Sequence, residues 1–153
     1  MATATYFDGG SWADAFAAAD FNALASGAGK LSTATAFDNS TLKYFHIDLS
    51  FITVTSTMTI TAGDHLAIYF LDRLHDDSSY PNNSNGTTGI PPIQYYIGSI
   101  GFPAGTLSPT GSLTKLRAPR GIGKFYVVNR CTAALPSSAS NMTLRYRLYS
   151  EQA

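Results

Sequence analysis

The sequence predicts an all-β protein, a single-domain antiparallel β-sandwich, and three observations carry that expectation. From Leu31 to Tyr149 short runs rich in Val, Ile, Thr, Tyr and Phe are separated by clusters of Gly, Pro, Asn and Ser, which is the punctuation of strands and turns. Several runs alternate apolar with polar residues, the period of a strand with one face inward. The chain of 153 residues is 44% hydrophobic and has one cysteine, Cys131, so one core must hold it together without an internal disulfide.

Residues 1–30 differ from the remainder and read as an N-terminal arm, with residues 31–153 forming the sandwich. Ser11 is a candidate cap for a helix carrying Trp12, Phe16 and Ala17, since Trp12 and Phe16 four apart share a helical face. Gly9, Gly10, Ser26, Gly27 and Gly29 flank that stretch, so an extended arm with one short helical turn is an equal alternative. Trp12, Phe16 and Phe21 are three large apolar groups with no strand partner visible in the sequence. Either they lid the open end of the sandwich or they dock on a neighbouring molecule.

The strands then follow in order. Leu31 to Ala36 opens the set. Phe45, Ile47, Leu49 and Phe51 alternate with Tyr44, His46, Asp48 and Ser50, the clearest strand in the chain. Met58 and Ile60 lead through the turn at Gly63 and Asp64 to Leu66–Leu71, where both faces are apolar and both should be covered. Residues 75–92 hold His75, Asp76, Asp77, serines, asparagines, Gly86, Gly89, Pro91 and Pro92, a composition for a long exposed loop. Tyr95 to Ile100 resumes a strand, and Ala104 to Gly111 is a second turn-rich loop. Leu113–Arg117, Lys124–Asn129 and Met142–Tyr149 bring the total to about eight strands, the number in a double-sheet jelly roll.

Charge sets further bounds. Only 13% of residues are charged, against roughly 25% in an average globular protein. The net charge is zero, yet residues 1–77 carry nine acids and three bases while residues 78–153 carry one acid and seven bases. Should Arg117, Arg120, Lys124 and Arg130 share one face, an acidic or phosphate-bearing partner follows; solvated faces with internal pairing are the plainer reading. Direct binding of nucleic acid is not expected from a chain of zero net charge. No apolar run reaches the length of a membrane span, and no secretory leader is expected.

Catalytic and metal motifs are weak. Asp72, His75, Asp76 and Asp77 form the densest polar cluster but lack the glycine-centred spacing of a calcium loop. His46 and His65 fall short of the three or four ligands of a zinc site. There is neither a Gly-x-Ser-x-Gly elbow nor a phosphate-binding Gly-x-x-x-x-Gly-Lys loop. The expectation is a non-enzyme with no cofactor and no metal. Tyr80, Tyr95 and Tyr96 are candidates for stacking on sugar rings, with cross-strand packing as the alternative.

Several segments together resemble a family of tailed-bacteriophage virion proteins: Asp20-Phe21-Asn22-Ala23-Leu24-Ala25-Ser26-Gly27, Asp38-Asn39-Ser40-Thr41, Ala67-Ile68-Tyr69-Phe70-Leu71, Lys124-Phe125-Tyr126-Val127-Val128-Asn129-Arg130, Ala134-Leu135-Pro136-Ser137-Ser138 and Leu144-Arg145-Tyr146. The pattern is similar to that of capsid decoration, or cement, proteins with a jelly-roll fold. The resemblance implies a structural virion protein, made in the host bacterial cytoplasm, that binds the capsid exterior and bridges major capsid protein subunits as a homodimer or homotrimer. It implies no catalysis, cofactor or membrane. Expected partner contacts are Trp12, Phe16, Phe21, Tyr80 and Tyr95. A tail or fibre module recognising a cell-surface glycan is the alternative.

Overall fold

The structure is a computed structural model. It describes residues 5–7, 10–74, 80, 95–137 and 142–152. Among these, twelve strands run in chain order: β1 (Thr5–Phe7), β2 (Ala13–Asp14), β3 (Gly29–Leu31), β4 (Phe37–Asp38), β5 (His46–Thr53), β6 (Met58–Ile60), β7 (His65–Asp72), β8 (Tyr96–Gly101), β9 (Gly105–Leu107), β10 (Thr110–Arg117), β11 (Ile122–Asn129) and β12 (Met142–Gln152). A 3-10 turn covers Ala18–Phe21.

Two antiparallel sheets make the sandwich. The first has the order β1-β12-β5-β10, with β2 also on β12; the second has the order β3-β11-β7-β8, with β4 also on β11. A separate ladder joins β6 to β9. In each sheet two short strands share one long partner, β1 and β2 on β12 and β3 and β4 on β11. Register gives the reason in the second sheet: β3 pairs with Tyr126–Val128 and β4 with Ile122–Gly123, and the chain leaves the ladder between them. There Asp20, buried, accepts from Thr33 N at 2.8 Å and from Thr33 Oγ1 at 2.9 Å. The expected strand from Leu31 to Ala36 is thus broken where an acid side chain takes over the backbone bonding.

The inward residues are those alternation selects: Ile47, Leu49 and Phe51 from β5, Met142 and Leu144 from β12, Leu66, Ile68 and Phe70 from β7, Phe125 and Val127 from β11. Their rings meet edge to face, Phe37 against Phe70 at 5.1 Å and Phe125 at 5.6 Å, which suits the aromatic quadrupole. Gly123 is required here, because a Cβ would run into the Phe70 ring and lie 2.5 Å from the Leu71 carbonyl oxygen.

The N-terminal segment is part of this core. Phe16 and Phe21 are buried, 5.0 Å apart, and Phe21 lies 5.3 Å from Phe51. No helix forms around Trp12 and Phe16, because Ala13 and Asp14 pair with Tyr146 and Arg145 as β2. The loop expected from Ala104 to Gly111 contains β9 and the start of β10. Phe45 is a further correction: the ladder starts at His46, so this ring is 60% exposed instead of sharing the inward face.

β7 and β11 are covered twice. On the side away from the core, Ala67, Tyr69, Leu71, Tyr126 and Val128 form a second buried cluster, against which Leu31, Tyr80 and Tyr95 pack.

Candidate interaction surface

Among the described residues, no second buried cluster of this kind covers the outer face of the first sheet. Register places outward residues of β5 and β12 in facing rows: His46 with Tyr149, Asp48 with Arg147, Ser50 with Arg145, Ile52 with Thr143. Asp48 is the hub. It is buried, yet accepts from Arg147 Nη2 at 2.8 Å, from Tyr149 OH at 3.1 Å and from the Lys115 backbone N–H at 2.8 Å. The last bond explains an irregularity in β10. One extra residue sits between Leu113 and Leu116, Lys115 adopts φ +56°, and its N–H turns to the Asp48 carboxylate instead of to the β5 backbone.

Burial alone would raise the Asp48 carboxyl. The bonds from Arg147, the Lys115 N–H and Tyr149 outweigh it and hold the group below the ordinary carboxylate value. Arg147 also stacks over the Trp12 ring, 5.1 Å from its centroid, and His46 lies flat against Tyr149 at 5.3 Å. Trp12 is thus set on a charge-fixed platform.

Two concavities flank the hub. One, of about 250 Å³, is lined by Trp12, Ser50, Ile52, Thr143 and Arg145, with Arg145 held by Asp14 at 2.8 Å. The other, of about 510 Å³, is lined by Phe45, His46, Lys115, Arg117 and Arg120. Trp12, Phe45, Ile52 and Val54 are exposed large apolar groups of this part of the chain. The arrangement offers apolar contact beside fixed charge, suited to binding.

The residues expected to meet a partner divide. Trp12, 41% exposed, remains available. Phe16 and Phe21 are core residues, which removes both from any contact surface. Tyr80 and Tyr95 are half-buried on the opposite sheet, where they pack on the Tyr126 layer, and Lys124 Nζ sits 5.8 Å from the Tyr80 ring centre. The four bases considered as one patch also divide. Arg117 and Arg120 share the larger cleft, Lys124 Nζ donates to the Ser32 carbonyl at 3.1 Å, and Arg130 follows the far end of β11.

Asp48, Arg147, Tyr149 and Phe45 were not singled out as a surface from the sequence. The available signal was an acid and an arginine both on outward positions of long strands, but their meeting depends on register.

His75, Asp76 and Asp77 lie outside the described residues. Among those described, no group of three or more His, Cys, Asp or Glu could hold a metal ion. His65 Nδ1 donates to the Gly63 carbonyl at 2.8 Å, and the Cys131 thiol points to the His65 carbonyl at 3.8 Å. Burial, with a smaller contribution from Asp64, pushes that thiol up to about 11. No described helix is long and apolar enough to cross a membrane. Comparison with protein-family models, with curated proteins and with solved structures finds no match to this chain.

Proposed function

We propose that this chain is a structural virion protein that binds the outer surface of a phage capsid and stabilises contacts between major capsid subunits. The observation that carries the reading is the asymmetry of the sandwich among the described residues: β7 and β11 of the second sheet are covered on both faces, while the first sheet presents Trp12, Ile52 and Val54 beside charges anchored on Asp48. A face that sets apolar groups beside paired charges in this way suits a partner that is itself a rigid repeating lattice, where symmetry multiplies modest affinities.

The strand order supports the reading as well. We read the two sheets, ordered β1-β12-β5-β10 and β3-β11-β7-β8, as a jelly roll, the architecture the sequence resemblance implies. We read the protein as non-enzymatic and without a cofactor, acting as a homodimer or homotrimer. The glycan-binding alternative loses support because Tyr80 and Tyr95 pack against Tyr126, leaving Tyr96 as the exposed ring of the three.

The test is co-sedimentation of the purified protein with phage heads that lack it, together with its copy number per virion relative to the major capsid protein. Saturable binding near one copy per few capsid subunits is expected, and Trp12→Ser should weaken it about tenfold or more, since a central tryptophan is a common hot spot. A handful of copies per particle, or binding to glycans in place of heads, would overturn the proposal. Truncating residues 1–20 is the poorer experiment, because it removes Phe16 from the core.

A further inference from the structure

Acids and bases balance in this chain by number but not in space. Asp14 pairs with Arg145 and Asp48 with Arg147, each at 2.8 Å. Asp20 bonds Thr33, and Asp64 accepts from the N–H groups of Thr61 and Thr132, both at 2.9 Å. These carboxylates hold the fold together and are not available to neutralise cations elsewhere. Arg117 and Arg120, both exposed, have no ion pair among the described residues. They face one cleft of about 510 Å³ with Lys115, His46 and the exposed Phe45.

From this we infer that the cleft is a docking site for an acidic peptide segment of a partner protein. Two guanidinium groups on one concavity focus positive potential into it. Guanidinium groups bind carboxylates through two parallel hydrogen bonds, and the Phe45 wall adds apolar contact that a bare ion would not use. A polynucleotide fits less well, because it needs a continuing basic track. Lys124 is turned to Ser32 on the other sheet, Arg145 is already paired, and Arg130 is separated from Arg120 by the eight residues of β11, about 26 Å at the rise of a strand. The site closes on a short segment.

The inference does not depend on a capsid as the partner, so a failed head-binding experiment leaves it standing. The probe is a short fluorescein-labelled peptide of glutamates and leucines, followed by anisotropy at low and at physiological salt. Wild-type protein should bind it, more weakly as salt rises. Arg117→Ser with Arg120→Ser should weaken binding about tenfold or more, while Arg130→Ser should leave it unchanged. Arg117→Glu with Arg120→Glu should reverse the preference toward a lysine and leucine peptide, which keeps the test decisive if the serine variant is poorly folded. Three results overturn the inference: binding indifferent to both double substitutions, tighter binding of a single-stranded oligonucleotide, or displacement of the peptide by equimolar inorganic phosphate.

Discussion

Replacing Asp48 isolates the hub of the exposed face. Asp48→Asn keeps an oxygen for the Lys115 N–H or for Tyr149 but removes the charge that Arg147 meets at 2.8 Å. A hydrogen bond to a charged group contributes about 1.5–3 kcal/mol, and Arg147 is a third exposed, so solvent screening reduces the expected loss to about 1–2 kcal/mol. Asp48→Ala also removes the acceptor that the Lys115 N–H and the Tyr149 hydroxyl share, for about 3–4 kcal/mol in total. Urea unfolding followed through Trp12, the single tryptophan, measures both.

The pH dependence is the sharper part. The carboxyl is held below its ordinary value in the fold, so its contribution is complete above the unfolded value near about 4 and is lost as pH falls through the folded one. Asn does not titrate, and every other acid is common to both proteins. The wild-type advantage over Asp48→Asn should therefore be constant from pH 7 to about pH 5 and shrink below about pH 4. An advantage that stays the same at acid pH would refute the account of Asp48 as a charge-stabilised hub.

Asn129→Leu should cost about 3–5 kcal/mol in the same assay, because the buried amide donates to the Leu24 and Ala133 carbonyls and accepts from the Cys131 N–H, leaving three orphaned groups. By urea unfolding followed with circular dichroism, which needs no tryptophan, Phe21→Ala should cost about 3–5 kcal/mol while Trp12→Ser costs less than about 1, a contrast that distinguishes core from surface within one segment. Cys131 should react with a thiol reagent at pH 8 at least about 100-fold more slowly in the folded protein than in urea, since its thiol is pushed up to about 11. That raised value also adds stability that is present below about pH 9 and lost as pH climbs through the folded value.

The inward sets of β5, β7, β11 and β12 were legible in the sequence because side chains alternate with a period of two and one face must be apolar. Phe45 shows the limit: the pattern continues to it, but the ladder does not. The helical spacing of Trp12 and Phe16 misled, and Phe21 carried no periodic signal, since Phe16 reaches the core just after a two-residue strand and Phe21 from a 3-10 turn. The polar residues that fasten the loops were least legible. Asn129 bonds a carbonyl 105 positions away, and nothing local separates it from the exposed asparagine at Asn22. The neutral total charge concealed the cleft at Arg117 and Arg120 for the same reason, because only the folded chain reveals which acids are already engaged.

The doubly covered pair β7 and β11 also bears on how motion is distributed. Their amides are shielded by Phe70 and Phe125 on one side and by Tyr69 and Tyr126 on the other, so they should exchange with solvent deuterium only through global opening. The short pieces β1 and β2 at the edge of the other sheet can fray without disturbing that centre. Adjustment to a binding partner is thus confined to the sheet that meets it, while the slow-exchanging pair keeps the fold in register.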